Sequence, residues 1–262
     1  MGTGRGSTDV VEVPHTRGSS GVGVRLMAAP KTLQLYCLAH AGGNSAFFRR
    51  WRRAGGDKWQ VTPLELKGHG HRIHEDPYPD FPSMIVDLAR YVSGEPFALF
   101  GHSFGGLVAF ELARHLESHG LFPHLLVISA CDPPHEFRKT DRNISELPNN
   151  ELIEEMMLRG GSPPAVLENK MLLDMMLPVL KRDFKLMEAY KFRHENPLQC
   201  PVLIVGGRDD PSVPPARLAD WKRYTEKPFQ VRLFPGNHFY LIEQEAVLID
   251  FLDKCLTYGT LS

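Results

Sequence analysis

Three residues that lie far apart in the chain have the types and surroundings expected of a nucleophile, an acid and a base. Residues 101–105, G-H-S-F-G, fit the pattern G-x-S-x-G between an apolar run and a helix-like stretch, and they contain Ser103. A serine hydroxyl becomes a strong nucleophile only when a base removes its proton and a carboxylate orients that base. Where this motif is used, the acid and then the histidine follow the serine along the chain. The pattern predicts acyl-transfer chemistry at Ser103.

The acid and the base are expected directly after two late strands. His238 follows the strand-like run 231–234 and is the only histidine in that part of the chain. Asp209 and Asp210 both follow the strand-like run 202–205. The pattern G-x-x-D-x-x-V-P favours Asp210, since adjacent side chains in a loop do not both point at the same imidazole ring. Asp209 remains open as the alternative acid.

Two backbone amides are candidate donors to the oxyanion that forms when a carbonyl is attacked. One belongs to Phe104, directly after the predicted nucleophile, and the other to Ala41, in the H-A-G-G loop after the first strand-like run. Preorganised donors of this kind stabilise the developing negative charge. On local evidence a simple strand-ending turn explains the H-A-G-G loop equally well. The serine, aspartate and histidine elsewhere favour the donor.

Apolar runs of strand length alternate with helix-like stretches along most of the chain. Short apolar runs with helices between them are typical of a parallel sheet covered on both faces. The sequence therefore predicts an α/β fold with a mostly parallel central sheet flanked by helices. The strand-like runs are 33–38, 61–66, 97–100, 125–129, 202–205 and 231–234, and the clearest helix-like stretches are 83–93 and 107–119.

Residues 133–196 interrupt this alternation because they contain no convincing strand. They hold one helical run at 151–159 and a second at about 166–191, which Pro178 is expected to bend or break. We expect this segment to form a small helical lid. Six of the nine methionines lie in it, and ordinary core filling at i, i+4 spacing is favoured over an adaptable acyl-binding surface.

The composition excludes several classes of function. Lys and Arg number 30 and Asp and Glu number 31, a formal net charge of −1, so no global basic field attracts nucleic acid or an anionic membrane. No apolar run approaches the roughly 18–20 residues that span a bilayer, and none resembles a signal peptide. Four scattered cysteines exclude a dense disulfide framework and are expected to be buried thiols. We expect a soluble, cytoplasmic protein.

The domain organisation expected from the sequence is simple. Residues 1–30 are rich in Gly, Ser and Thr and are expected to form a flexible leader, which leaves residues 31–262 as one folded domain. Neither a metal nor a nucleotide cofactor is expected. The histidines His69, His71 and His74 lack an aspartate at metallohydrolase spacing and a nearby cysteine. The glycine pairs of the chain do not form G-x-G-x-x-G after a strand.

Several segments make the chain resemble the type II thioesterases of polyketide and nonribosomal peptide assembly lines, which are stand-alone α/β-hydrolases. The resemblance runs from about residue 33 to about residue 256, and residues 130–135 and 177–184 resemble the family's loop and cap segments. The segments that carry it are L-A-H-A-G-G at 38–43, F-A-L-F-G-H-S-F-G-G-L-V-A-F-E-L-A at 97–113, residues 202–213, Trp221, and F-P-G-N-H-F-Y at 234–240.

The resemblance implies a role for each candidate residue. Ser103 would be the nucleophile, Asp210 the acid and His238 the base, with the amides of Ala41 and Phe104 as oxyanion donors. The implied substrate is an acyl or aminoacyl thioester on the phosphopantetheine arm of an acyl or peptidyl carrier protein. The implied role is to clear stalled or mis-primed carriers. No cofactor is implied, and a monomer is expected.

The chain departs from the family pattern at a few positions. Leu38, Lys67 and Asn237 differ from the family's usual residues, and none of them is a predicted catalytic side chain. These differences affect loop shape and acyl preference more than the reaction. Two alternatives remain, namely a carboxylesterase that acts on small free esters and a non-catalytic binding protein with a hydrolase fold.

Overall fold

Six apolar segments form one parallel sheet in the computed structural model, which describes residues 32–93, 96–137, 143–158, 169–193 and 196–259. The expected leader, residues 1–30, lies outside the described residues. The strand order is β2-β1-β3-β4-β5-β6, and every neighbouring pair is parallel, which confirms the predicted α/β fold. The strands are β1 (Leu33–Leu38), β2 (Trp59–Pro63), β3 (Phe97–His102), β4 (Leu126–Ser129), β5 (Val202–Gly207) and β6 (Phe229–Phe234).

The register of the sheet brings the loops that carry the predicted site to one edge. Leu38 at the end of β1 lies opposite Gly101 of β3. Gly207, the last residue of β5, lies opposite Phe234, the last residue of β6. Because parallel strands all end at the same edge, the loops that follow β1, β3, β5 and β6 are neighbours there.

The second strand ends earlier than its apolar pattern predicts. The pattern predicts residues 61–66, whereas β2 ends at Pro63. This strand lies at the edge of the sheet and pairs only with β1, where Cys37 lies opposite Pro63. The Leu64 amide still donates to the Cys37 carbonyl at 2.8 Å, and the chain then leaves the sheet. Leu64 and Leu66 are apolar and buried but lie outside any strand. Their apolar character therefore made the predicted strand too long.

Helices cover the sheet, and their starts depend on tertiary contacts. The pattern predicts a helix from residue 107, but α2 begins at Phe104 and includes two glycines. A Cβ on Gly106 would lie 2.8 Å from the Cys131 Cβ, so close packing outweighs the low helix propensity of glycine. The helix ends before Gly120, whose φ of 80° is the expected left-handed stop. Within the described residues the α-helices are α1 (Phe81–Ala89), α2 (Phe104–Ser118), α3 (Asn149–Leu158), α4 (Lys170–Ala189), α5 (Pro215–Leu218), α6 (Tyr240–Glu243) and α7 (Glu245–Tyr258), and the 3-10 segments are Ser45–Arg53, Gly70–Arg72, Ile144–Glu146 and Ala219–Tyr224.

The segment between β4 and β5 contains α3 and α4, and Pro178 does not break α4. Buried side chains lie on both sides of this proline, at Leu177 and at Leu180, and they hold the helix in place. Their packing outweighs the one backbone hydrogen bond that proline removes. Predicted helical residues 159 and 166–168 lie outside the described part of the chain. Met156 fills a small cluster with α4, whereas Met171 and Met175 are 69% and 66% exposed, so core filling explains only some of the methionines.

The two faces of the sheet bury separate apolar layers. Phe97 and Leu99 of β3 face the layer that includes α1 and α2, while Ala98 and Phe100 face the layer that includes α7. This alternation is the period-two pattern of a strand. All four cysteines are free thiols, and all four are buried, as the sequence predicts. In the described part of the chain, no helix combines the length and the apolar character that crossing a bilayer requires.

Replacement of Phe100 by alanine is expected to destabilise the fold by about 3–5 kcal/mol. Its ring is 0% exposed and lies edge to face with Phe48 and Trp51, at centroid distances of 5.8 and 4.9 Å. Urea unfolding followed by tryptophan fluorescence measures the loss. Phe122→Ala is the control, because Phe122 is 50% exposed, and its effect should stay within about 0.5 kcal/mol. Equal losses of stability in Phe100→Ala and Phe122→Ala would contradict the placement of Phe100 in the core.

Candidate active site

Ser103 occupies a sharp turn between β3 and α2. Its φ of 54° and ψ of −118° are unusual for a residue with a side chain, and such strain persists only where surrounding contacts enforce it. A Cβ on Gly101 would lie 2.0 Å from the Gly105 carbonyl oxygen, and a Cβ on Gly105 would lie 2.3 Å from the Leu38 carbonyl oxygen. Only glycine permits these approaches. The turn therefore presses the start of α2 against the ends of β1 and β3.

The structure brings the predicted serine, histidine and aspartate into one hydrogen-bonded chain. The Ser103 Oγ lies 3.0 Å from His238 Nε2, and His238 Nδ1 lies 2.7 Å from Asp210 Oδ2. Asp210 and His238 are 5% and 2% exposed. Of the two candidate acids, Asp210 therefore faces the imidazole. Asp209 is exposed, and its amide donates to the Gly236 carbonyl at 3.0 Å.

Backbone contacts hold the acid and the histidine loops together. Asp210 Oδ1 accepts hydrogen bonds from the Ser212 and Val213 amides at 2.8 and 3.1 Å, which leaves Oδ2 for the imidazole. At the end of β5, a Cβ on Gly207 would lie 2.2 Å from the Asn237 carbonyl oxygen. The loop that carries His238 thus rests directly on the end of the strand that precedes Asp210.

The two predicted oxyanion amides lie in loops that converge on Ser103. A Cβ on Gly105 would also meet the Ala39 carbonyl oxygen at 2.5 Å, so α2 begins directly beside the H-A-G-G loop. Within the part of the chain that the structure describes, neither the Ala41 amide nor the Phe104 amide donates to a protein acceptor. The neighbouring Gly42 amide, in contrast, donates to the Asp183 carboxylate at 2.6 Å. Ala41 and Phe104 are therefore available to a ligand, and Gly42 is not.

A buried polar network behind Ser103 was not predicted from the sequence. His102 Nδ1 lies 3.0 Å from the Ser129 Oγ, which lies 2.9 Å from the Tyr240 hydroxyl. Burial, together with the neighbouring His238 and His40 rings, holds the pKa of His102 well below its usual value. Burial, and after it the neighbouring His238 and His69 rings, lower the pKa of His40 to about 4. Both rings are therefore neutral beside His238 at neutral pH. His102 stands in the serine motif, but only its burial reveals the network.

A cavity of about 440 Å³ opens at Ser103 and His238. Burial raises the pKa of Asp132 on its wall, and Arg217, whose guanidinium lies 3.1 Å from that carboxylate, opposes the rise. The cavity wall is thus apolar over much of its area and also carries charged side chains. The remaining wall includes Phe137, Ile144, Phe184, Met187, Glu136 and Glu188.

His69 and His71, two of the three histidines that lie close together in the sequence, have different partners in the structure. His69 is buried and lies 2.9 Å from an Asp183 carboxylate oxygen. His71 is 71% exposed, and its Nδ1 lies 3.3 Å from a Glu65 oxygen. Among the described residues, no group of three or more potential ligands is arranged to hold a metal ion. The loop instead forms the 3-10 turn Gly70–Arg72.

The parallel sheet, with a serine in the turn after β3 and a histidine after its last strand, defines the α/β-hydrolase class. Within that class, the family described as the thioesterase domain matches residues 33–255. The chain belongs to this family and is a thioester hydrolase.

Relatives and solved structures agree with this assignment and confirm the resemblance seen in the sequence. Thioesterase PikA5 of Streptomyces venezuelae is 34% identical over 230 residues, which cover 84% of this chain and 80% of the relative. The protein named linear gramicidin dehydrogenase LgrE, of Brevibacillus parabrevis, is 32% identical over 237 residues, 88% of this chain and 90% of the relative. The structure of the type II thioesterase BorB from the borrelidin biosynthetic cluster superposes with a TM-score of 0.80 at 34% identity, covering 87% of this chain and 94% of that one.

Acid is expected to destabilise the protein through His102. Because burial lowers the pKa of His102 below 6.5, the unfolded chain takes up this proton first. The neutral His102 ring therefore makes its full contribution to the free energy of unfolding above about pH 6.5. This contribution is lost as the pH falls, by up to about 1.4 kcal/mol per pH unit. His102→Asn keeps a polar atom for the Ser129 hydroxyl but does not titrate, so its free energy of unfolding should fall less between about pH 7 and about pH 5.

Urea unfolding at several pH values measures this difference. His124→Asn is the matched control, since His124 is exposed, and it should keep the pH dependence of the wild type. Parallel curves for the wild type and His102→Asn would contradict the prediction.

Proposed function

We propose that this thioesterase removes acyl and aminoacyl groups from the phosphopantetheine arms of carrier proteins in polyketide or nonribosomal peptide assembly. Its role would be to clear stalled or mis-primed carriers. The observation that carries the proposal is the hydrogen-bonded chain of Asp210, His238 and Ser103 at the wall of a cavity of about 440 Å³. The relatives whose names refer to gramicidin and borrelidin support the pathway.

In the proposed mechanism Ser103 attacks the thioester carbonyl while His238 Nε2 takes the hydroxyl proton. Asp210 holds the other ring nitrogen and stabilises the imidazolium that forms. The Ala41 and Phe104 amides donate to the oxyanion, and the positive end of α2 adds to their effect. When the C–S bond breaks, the proton passes to the pantetheine sulfur. Water then attacks the acyl-enzyme, His238 takes its proton, and that proton returns to Ser103 as the acid leaves.

The cavity fits the acyl group of such a substrate. Its volume of about 440 Å³ lies in the range of small-molecule sites. Phe184 and Met187 of α4 form part of its wall. The wall also carries acidic side chains, which suit an acyl group that carries an amine. We propose that residues 133–196 act as a lid, with α4 covering the acyl group.

The carrier protein is the proposed macromolecular partner. It would present its arm at the opening beside Ser103, and after the C–S bond breaks the thiol remains attached to the carrier through that arm. A thiolate leaves more readily than an alkoxide, so a thioester needs less help at the leaving group than an ester does. We also propose that the protein is a cytoplasmic monomer.

The two neighbouring aspartates allow a matched test of the proposed acid. Asp210→Asn should lower kcat by about 10²–10⁴, because His238 then loses the carboxylate that orients it and stabilises its charge. Asp209→Asn should stay within about twofold of the wild type, since surface changes away from the site have small effects. Steady-state hydrolysis of an acyl N-acetylcysteamine thioester measures both. A larger loss in Asp209→Asn would contradict the assignment of the acid.

The proposed substrate class is tested by comparing carriers with free esters. Acyl-loaded carrier proteins should be hydrolysed with a kcat/KM at least about 10-fold above that for p-nitrophenyl esters of the same acyl group, because the arm and the carrier add binding energy. Ser103→Ala is the inactive control. A preference for the free esters would favour a carboxylesterase instead.

Labelling separates an enzyme from a binding protein. A fluorophosphonate should modify Ser103 in the folded protein and fail to modify Ser103→Ala. Folded wild type that neither reacts nor hydrolyses any thioester would favour the non-catalytic alternative.

A further inference from the structure

A buried carboxylate connects α4 to the oxyanion loop, which is the H-A-G-G loop at residues 40–43. Asp183 lies in α4 and is 2% exposed. Its Oδ2 accepts the Gly42 amide at 2.6 Å and lies 2.9 Å from His69 Nε2. Asp183 lies outside the hydrogen-bonded chain of Ser103, His238 and Asp210, and the mechanism above does not use it. Its contact is with the residue that follows the proposed oxyanion donor Ala41.

Hydrogen bonds anchor the peptide groups on both sides of Ala41. The Gly43 amide donates to the His40 carbonyl at 2.9 Å, and this carbonyl belongs to the same planar peptide as the Ala41 N–H. The next peptide is held where the Gly42 amide meets Asp183. With both planes held, the direction of the Ala41 N–H is determined. Oxyanion stabilisation depends on this direction because the donor must be in place before charge develops.

The close contact between α4 and this loop requires glycine at position 42. Gly42 has a φ of 73°, and a Cβ there would lie 3.2 Å from Leu180 Cδ1. Leu180 precedes Asp183 in α4 and is 4% exposed. The helix therefore lies directly over the loop, with one apolar contact and one hydrogen bond to the same glycine. A shift of α4 would move the Gly42 peptide.

His69 holds the carboxylate in place, and it does so as an imidazolium. Its Nε2 faces the Asp183 carboxylate at 2.9 Å and its Nδ1 faces the Lys67 carbonyl oxygen at 3.1 Å. Both partners are acceptors, so both ring nitrogens must carry protons. Burial by itself would lower the pKa of His69, but the hydrogen bond and charge of Asp183, the Lys67 carbonyl and the charge of Glu65 outweigh it and raise the pKa.

The surroundings of His69 contain charges of both signs. Glu65 lies close enough to favour the imidazolium, and the charge on His69 in turn disfavours a charge on the His40 ring. A cavity of about 220 Å³ beside the His69 ring is lined by three cationic side chains, and these oppose its charge. The facing groups are Asp183, Arg182 and Lys185 on α4, Lys67 in the same loop, Glu65 after β2, and His40 after β1.

We propose that Asp183, held by His69, is a positioning residue that orients the Ala41 amide and couples the position of α4 to the oxyanion site. The inference rests on the proposed mechanism, in which Ala41 is a donor. It assigns to α4 a part in transition-state stabilisation as well as in covering the cavity. Loss of the contact should therefore lower kcat and leave KM nearly unchanged.

Three variants test the contact on an acyl N-acetylcysteamine thioester, which requires no carrier protein. Asp183→Ala should lower kcat by about 10- to 100-fold, with KM within about threefold, since a misdirected donor acts on the transition state. Asp183→Asn keeps an oxygen that accepts the Gly42 amide and should retain kcat within about fivefold. Asp174→Asn, at an exposed position of the same helix, is the matched control and should match the wild type.

The pH profile supplies a readout that a purely structural role would not move. As the pH rises through the raised pKa of His69, the ring loses one of its two donors and the hold on Asp183 weakens. The wild-type kcat should then fall by at least about threefold relative to His69→Gln, whose amide donates to Asp183 at every pH. Circular dichroism across the same pH range measures the folded fraction.

The possible results distinguish a failure of the positioning role from a failure of the mechanism on which it rests. Full kcat in folded Asp183→Ala, or parallel pH profiles for the wild type and His69→Gln, would overturn the positioning role. Equal losses in Asp183→Asn and Asp183→Ala that follow the folded fraction would overturn it as well. If Asp183→Ala does not fold, the pH comparison decides. A wild type that hydrolyses no thioester would instead reject the mechanism on which the inference rests.

Discussion

The close approach of α2 to the ends of β1 and β3 is the constraint on which the site depends. Gly101 and Gly105 permit it, because a Cβ at either position would lie within 2.3 Å of a backbone carbonyl atom. The approach forces the positive φ of Ser103, and it places the start of α2, where the Phe104 amide lies, beside the ends of β1 and β3. A comparable contact at Gly207 seats the His238 loop on the end of β5. Tight backbone packing thus determines the distances between the side chains.

Asp210 is the group that stabilises a positive charge on His238, while the neighbouring rings of His40 and His102 stay neutral. Asp210 binds the ring through Oδ2 while two backbone amides hold its other oxygen. The neighbouring rings of His40 and His102 have lowered pKa values because they are buried and lie near His238. Neutral rings at these positions avoid repulsion with an imidazolium. The balance suits a base that must take and release a proton repeatedly.

The sheet and the β4–β5 segment contribute different parts of the proposed activity. The sheet edge supplies the serine, the acid, the histidine and both candidate oxyanion amides. The segment supplies most of the apolar cavity wall and, through Asp183, a buried contact with the oxyanion loop. In the proposed mechanism, one helix would therefore connect substrate fit with transition-state stabilisation without touching the reacting atoms.

The sequence by itself determined the fold class, the order of the serine, acid and histidine loops along the chain, and the identity of the candidate residues. These follow from local signals, since strand patterns, glycine spacing and the motif around Ser103 act over a few residues. It favoured Asp210 over Asp209, and the burial of Asp210 against His238 agrees with that choice. It placed the end of β2 too late, and of the bend or break expected at Pro178 the break does not occur, because strand ends and helix continuity both depend on what a segment packs against.

Only the tertiary structure decided the contacts between distant segments. The pairing of Asp183 with Gly42 spans 141 residues, and that of His69 with Asp183 spans 114. His69 reads in the sequence as part of a histidine cluster, and Asp183 as one charge in a helix. Their proposed roles follow from burial, because a buried carboxylate is costly unless it accepts hydrogen bonds, and the fold decides which donors lie near it. No spacing along the chain encodes that requirement.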